Sequence, residues 1–430
     1  TLTQTNIRAD VTHPVEGVRY QAVNTFGGLK KDLAQILNFF SALLPVGFYY
    51  KAFYRPRFLF PLWEKLIRGM TGLGKVNSNT GSWRQARKQL FCDVLVVGAG
   101  PSGLAAAEYL GRTGLKIIVV DENDHVGGTL GYRHNTDQSA KEFKDTTIKN
   151  LANFSSVSTL PMCYAAGLYE GGTVPIVGPD GIKEVHTKAL IVATGSYEQP
   201  AVFRNNDAPG IILLSAAERL MNRYSVLPCE SAVILAGNPE AYERAKNLKK
   251  IGLRIAAIID LSLGPKVHEK EIADARKVGI KVTKITSIEE ASLRKGTLDS
   301  ITVITEHNQT EKIPCDGILM SVGWSPASSL LVQAGAKLSY LTSLEQVIPD
   351  EIPPGTYAAG QVNGIHEFKS KIDDGLAAAN EAARFLGCDL PIISRPKREG
   401  RAHSHPYPVS AHPKGKEFVD FDEDIQLNDL

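Results

Sequence analysis

DVLVVGAGPSGLAAAEYLGRTGLKIIVVDE, Asp93 to Glu122, decides the fold. Val94 to Val97 is a short β-branched apolar run that predicts a strand. Gly98, Gly100 and Gly103 follow at GxGxxG spacing, Leu104 to Leu110 continues as a helix, and Lys116 to Val120 is a second strand ending at Asp121 and Glu122. Each glycine has a physical reason. Gly98 permits a tight turn, Gly100 lets a pyrophosphate approach the backbone, and Gly103 lets helix and strand pack closely. The helix start, at Pro101 and Ser102, turns free N–H groups and a positive dipole end toward the phosphates. Asp121, eighteen residues after Gly103, can accept from adenosine ribose hydroxyls and would repel a 2′-phosphate. Alone the glycines could be a packing turn. Framed by two strands and an acid they predict a nucleotide site that favours NAD over NADP.

The same theme returns in AVILAGNPEAYERAKNLKKIGLRIAAIID, Ala232 to Asp260, with Ala236, Asn238 and Ala241 at the glycine positions and Glu243 as the nearby acid. Methyl and amide groups there crowd a pyrophosphate, so this second unit is expected to be structural. Three further pieces resemble two-dinucleotide-binding-domain flavoproteins. VGGTL (Val126–Leu130, with Gly127, Gly128 and Thr129) would pass close to the dinucleotide. ALIVATG (Ala189–Gly195, with Thr194) would return the chain to the first domain. TYAAGQVNG (Thr356–Gly364, with Gly360) would close over the pyrophosphate. Relatives commonly carry Asp at the end of that last loop, where this chain has Gln361.

The expected fold is therefore α/β and Rossmann-like, of the glutathione-reductase type, with an N-terminal helical and extended lead segment. Residues 1–90 are the lead segment. Residues 91–214 and 323–387 form a discontinuous first dinucleotide-binding domain, and 215–322 the degenerate second. Residues 388–430, rich in Pro, His and basic residues and then acidic, read as linker and tail. His403, His405 and His412 fall in this stretch and read as solvated loop residues, with metal binding as the other reading.

Composition narrows the function classes. Net charge is +2, with 22% charged and 43% hydrophobic residues, so no nucleic-acid partner is implied. Arg55 to Lys88 nonetheless holds eight Lys/Arg against Glu64 alone, a solvated face or a patch for an anionic cofactor or protein partner. Cys92, Cys163, Cys229, Cys315 and Cys388 are isolated, which excludes a CxxC redox pair or local metal knuckle and suits a reducing cytoplasm. Leu33 to Tyr50 carries no charge, but its polar residues, Pro45 and helical spacing predict an amphipathic helix rather than a membrane span. No paired carboxylate, Ser/His/Asp set or metal cluster stands out, so no catalytic residue is assigned.

Taken together, LLPVGFYYKAFYRP (Leu43–Pro56), YEQPAVFRNNDAPGIILLSAAERLMNRY (Tyr197–Tyr224), DGILMSVGWSPASSLLVQAGAKL (Asp316–Leu338) and EFVDFDEDIQLNDL (Glu417–Leu430) make the chain resemble the alpha subunit of heterotetrameric sarcosine oxidase and the related subunits of proline, hydroxyproline and opine dehydrogenases. That resemblance implies a partner beta subunit that binds FAD and oxidises a secondary amine, FMN held between the two subunits, and NAD, ATP or FAD at the first glycine motif here. It also implies small gamma- and delta-type subunits. Tyr49, Tyr50, Lys51 and Arg55 are the candidate FMN or partner contacts, with core packing as the plainer reading. Family members often carry a ferredoxin-like domain before, and a folate domain after, the portion matched. Two other readings stay open: a self-contained FAD-dependent NAD(P)H oxidoreductase, and a non-catalytic scaffold stabilised by its nucleotide.

Overall fold

In the computed structural model, residues 15–22, 25–28, 32–34, 36, 55–70, 88–132, 138–263, 268–294, 296–398, 402–412, 418–420 and 425–426 are described. The chain divides into two compact units, residues 1–84 with 418–430, and residues 85–417. In the first, a helix spans Phe60–Met70, and Phe418–Asp420 pairs antiparallel with Ile425–Gln426. Tyr49, Tyr50 and Lys51, like most of the helix expected from Leu33 to Pro45, lie outside the described residues. Arg55 is described and exposed. Among the described residues no helix is long and apolar enough to cross a membrane.

Among its described residues the larger unit holds two seven-stranded sheets. In the first sheet the order from one edge is Val157–Leu160, Ile117–Val120, Lys88–Val97, Gly181–Val192, Thr173–Gly178 and Tyr164–Ala165. Thr356–Ala358 joins the far end of Gly181–Val192 in parallel, pairing Thr356 with Leu190 and Ala358 with Val192. Ile117 to Val120 is buried at every position. A strand with both faces covered has no polar side to alternate, hence the unbroken apolar run.

One face of this sheet is covered by the helices Pro101–Gly111 and Phe368–Phe385. Leu104, Ala106, Ala107 and Leu110 of the first meet Ala378, Ala379, Ala382 and Ala383 of the second in one buried cluster. Small residues let the two backbones approach closely. A Cβ on Gly375 would stand 2.2 Å from the Ser102 carbonyl oxygen.

The second sheet runs Thr310–Pro314, Thr297–Thr305, Val282–Arg294, Arg254–Asp260, Ser231–Ala236, Gly317–Ser321 and Ile211–Leu213. It takes in Ile211–Leu213, just before the boundary expected at residue 214. Ser231–Ala236, the helix Glu240–Lys250 and Arg254–Asp260 repeat the strand–turn–helix–strand unit of the first sheet. Ser196–Glu198 and Trp324–Pro326, an antiparallel pair, carry the chain between the sheets.

Composition misleads beyond residue 388. The stretch expected to be a linker is held down along the body. Arg395 pairs with buried Asp374 at 2.8 Å and with Glu381 at 2.7 Å, and it donates to the Ala358 carbonyl. His405 N–H donates to Val322 O at 2.7 Å, and Val202 donates to Pro408 O and accepts from Ser410 N–H of this strap, both at 2.8 Å. His403 and His405 are half-buried and His412 is buried, so none is a solvated loop histidine. Prolines suit such a strap, because it is extended and needs few N–H donors.

Asp374 also accepts from Gly360 N–H at 2.7 Å and from Asn363 Nδ2, which anchors the loop expected to close over a pyrophosphate. Asp374→Ala would orphan that N–H and leave Arg395 half-paired. The expected loss is about 2–3 kcal/mol, reduced from a fully buried pair because Arg395 is partly exposed. Urea unfolding followed by circular dichroism measures it. A loss under about 0.5 kcal/mol, the level of an ordinary surface change, would contradict this anchoring role.

Candidate nucleotide site

The first cradle is built by steric exclusion. Gly98 ends the strand at φ +98°, and a Cβ there would fall 2.3 Å from the Ala193 carbonyl oxygen. A Cβ on Gly103 would fall 1.8 Å from the Gly98 oxygen. Gly100 differs from both: it is extended, and a Cβ on it would meet nothing within 4 Å. The protein therefore leaves space over Gly100 that its own packing does not require. The first-turn N–H groups of Pro101–Gly111 have no intrahelical acceptor and face this space.

A cavity of about 460 Å³ opens there. Gly98, Gly100, Pro101, Ser102, Asp121, Glu122, Gly128, Thr129, Thr194, Gly195 and Gln361 line it. Gly103, Gly127 and Gly360, also expected at the site, do not line it; they shape the backbone behind. Gly127 N–H donates to Ala99 O at 2.8 Å. A Cβ on Gly360 would stand 2.2 Å from Ser102 Oγ, so the closing loop lies directly on the helix start. Thr194 Oγ1 donates to Ala327 O at 2.7 Å and ties the return strand to the crossover.

Asp121 has more work inside the protein than the sequence suggests. Its Oδ2 accepts from Ala99 N–H at 2.6 Å, and its Oδ1 accepts from Asn123 N–H and Nδ2 at 2.9 and 2.8 Å. It holds the glycine turn and keeps lone pairs to spare. Glu122 beside it is exposed at the cavity wall. Gln361 Nε2 is buried with no hydrogen-bond partner. An orphaned donor on a cavity wall is what a ligand acceptor would satisfy. These residues fit a dinucleotide.

Tyr132, Arg219, Arg223 and Lys371 also line the cavity, and sequence reasoning missed them. Arg219 lies 5.0 Å over the Tyr132 ring, and Arg223 pairs with Asp124 at 2.5 Å. Both arginines come from the helix Leu214–Tyr224 at i, i+4 spacing, which puts them on one face. That spacing was the available signal.

The second cradle is shut by its own side chains. Asn238 is fully buried. Its Oδ1 accepts from Ala241 N–H at 3.1 Å, one of the helix-start donors a phosphate would need, and its Nδ2 donates to Ser321 O and Oγ. A Cβ on Gly237 would meet Val322 Cα at 2.9 Å and His405 Cβ at 3.1 Å, so the C-terminal strap presses on the turn. His405 Nε2 lies 2.8 Å from Leu261 O, and burial holds this imidazole below its ordinary pKa. Glu243, expected as the acid of this unit, is exposed and pairs with Lys246. The structural counterpart of Asp121 is Asp260, which ends its strand fully buried.

All five cysteines are free. Burial pushes the Cys229 and Cys315 thiols up to about 12 and raises Cys92. These three are thiols, not nucleophilic thiolates, at neutral pH.

A family model described as pyridine nucleotide-disulphide oxidoreductase matches residues 92–396. The alpha subunit of sarcosine oxidase from Rhizobium meliloti (strain 1021) is 30% identical, over 99% of this chain and 44% of that protein. An opine oxidase subunit of Agrobacterium tumefaciens (strain Ach5) is 23% identical, over 77% of this chain and 72% of that protein. Among solved structures, L-proline dehydrogenase from P. horikoshii aligns with a TM-score of 0.53 at 19% identity, covering 74% of this chain and 63% of that chain, a likeness of fold. The chain spans less than half the length of the sarcosine oxidase subunits it matches.

Proposed function

The chain belongs to the pyridine nucleotide-disulphide oxidoreductase family, and from that premise we propose that it is the nucleotide-binding, alpha-type subunit of a multi-subunit flavoenzyme that oxidises a secondary amine. The observation that carries this reading is the contrast between the two cradles. A self-contained relay from pyridine nucleotide through flavin needs two open nucleotide sites, and a disulphide reductase needs a thiol pair as well. Here the first cradle is open, the second is filled by Asn238 and the strap, and the five cysteines form neither a CxxC pair nor a disulphide. The names of the relatives, a sarcosine oxidase and an opine oxidase, support the amine class.

In this reading the Gly98–Gly103 cradle holds NAD, or another adenine compound such as ATP or FAD. First-turn N–H groups take the diphosphate, Asp121 and Glu122 the ribose, and Gln361 closes over the far side. Arg219 and Arg223 set the charge at the mouth. Amine oxidation belongs to an FAD-bearing beta subunit, with FMN at the junction between the two chains, gamma- and delta-type chains completing the assembly, and a cytoplasmic location. Tyr49, Tyr50, Lys51 and Arg55 are proposed for that junction. Sarcosine or a related N-methyl or cyclic amino acid is the substrate class.

The test is reconstitution. The chain co-expressed with a flavin-bearing partner should reduce a dye in the presence of a secondary amine, and the isolated chain should not. Millimolar NADH should leave the absorbance of any flavin in the isolated chain unchanged. Rapid bleaching by NADH, or amine turnover by the isolated chain, would contradict the proposal.

A further inference from the structure

Three side chains outside the nucleotide cavity converge beside the closed second cradle. Glu240 opens the helix Glu240–Lys250, His366 follows the closing loop Gly360–Asn363, and His403 comes from the C-terminal strap. One ligand atom from each lies within 4.8 Å of the others. His403 Nδ1 stands 3.0 Å from Glu240 Oε1. The His366 and His403 rings stack, 4.0 Å between centroids and 10° between planes. His366 is 8% exposed and the His403 side chain 13%.

A chain of hydrogen bonds fixes the His366 tautomer. Ser404 Oγ donates to Trp324 O, so toward Gln346 it accepts, and Gln346 Nε2 donates to it at 3.1 Å. Gln346 Oε1 must then face His366 Nε2, 3.0 Å away, and accept its proton. The ring proton sits on Nε2, and Nδ1 carries the lone pair. A histidine whose far N–H is held by an amide or carboxylate oxygen is the usual state of a metal-bound imidazole.

We propose that Glu240, His366 and His403 bind one divalent first-row transition ion, with Zn²⁺ as the best match. Two imidazoles and a carboxylate suit Zn²⁺ and disfavour Mg²⁺ and Ca²⁺, which take oxygen ligands. Metal–ligand bonds of about 2.0–2.2 Å bring tetrahedral donors to roughly 3.4 Å from one another. The Glu240–His403 pair is already closer than that, and small side-chain rotations bring in His366. Water takes the fourth position. The three ligands come from the second-sheet helix, the loop beside the first cradle, and the strap, so the ion would pin the strap over the closed cradle. The site is independent of the proposed amine-oxidising role.

The full chain, stripped with a chelator, is titrated with Zn²⁺ in a calorimeter and melted with and without the ion. One saturable site is expected, with a raised melting temperature. Glu240→Gln and His403→Asn should each weaken binding at least a hundredfold and abolish the shift in melting temperature. Co²⁺ should give the visible absorption of a tetrahedral site, lost on adding Zn²⁺. Glu240→Gln keeps shape in a partly exposed first turn and so keeps the fold. Absence of a 1:1 site, or full-affinity binding in both variants, would overturn the proposal.

Discussion

Arg244→Ala is expected to lose about 3–5 kcal/mol of stability and to reverse the response to mild acid. The Arg244 side chain is 4% exposed and pairs with Glu198 at 2.6 Å and Glu218 at 2.9 Å, both of them buried. It also donates to Ser321 Oγ, beneath the closed cradle. Removing it leaves two carboxylates without their cation in an interior that cannot solvate them.

The sign of the pH effect follows from Glu198. Burial pushes its pKa up, but the Arg244 charge and hydrogen bond, with the Ser215 N–H, outweigh that and hold it below the ordinary carboxylate value. Its stabilisation is therefore complete above about pH 4.5 and is lost as pH falls through the lowered folded value. In Arg244→Ala burial is opposed only by the hydrogen bonds from Ser215, and the folded pKa is expected to rise above the unfolded one. The variant then binds protons on folding and gains stability as pH falls from 8 toward 5. Urea unfolding at pH 8.0 and 5.5 measures both effects. A loss under 1 kcal/mol, or a variant whose pH dependence parallels that of the parent, would contradict the assignment. Glu198→Gln/Glu218→Gln/Arg244→Met should recover part of the loss, because it removes all three charges.

Gly100→Val should weaken adenine-nucleotide binding by about a hundredfold or more, equivalent to about 2.7 kcal/mol, while the ligand-free protein melts as before. The contrast among the three glycines gives this its force. At Gly98 and Gly103 a Cβ collides with backbone atoms, so valine there should prevent folding. At Gly100 it enters open space on extended backbone that valine adopts readily. Only a ligand would meet it. Isothermal titration with NAD and ATP, alongside melting curves, separates the two effects. Unchanged affinity would show that no phosphate approaches Gly100. A large fall in the ligand-free melting temperature would show that the space is structural.

The first cradle is legible in the sequence because its determinants are local. Gly98, Gly100, Gly103 and Asp121 lie within one strand–turn–helix–strand unit, and chain geometry alone brings them together. The degeneracy of the second unit is legible for the same reason, at Ala236, Asn238 and Ala241. Its acid is not: Glu243 is near in sequence but points to solvent, while Asp260 arrives at the end of the next strand. Arg219, Arg223 and Lys371 reach the cavity from elements far along the chain; the i, i+4 spacing puts the two arginines on one helix face but does not say what that face meets. The strap passes for a linker because Pro, His and Arg resemble linker composition. Its order comes from long-range partners, Asp374, Val322 and Val202, which composition does not reveal. The convergence of Glu240, His366 and His403 is invisible for the same reason.

The most direct measurement is of what the purified chain carries. Native protein washed free of unbound small molecules, then denatured, should release close to one adenine nucleotide per chain by mass spectrometry. Gly100→Val, prepared in parallel, should release almost none. A wild-type chain that releases no adenine compound, or a variant that releases as much as wild type, would contradict a nucleotide held at the Gly98–Gly103 turn.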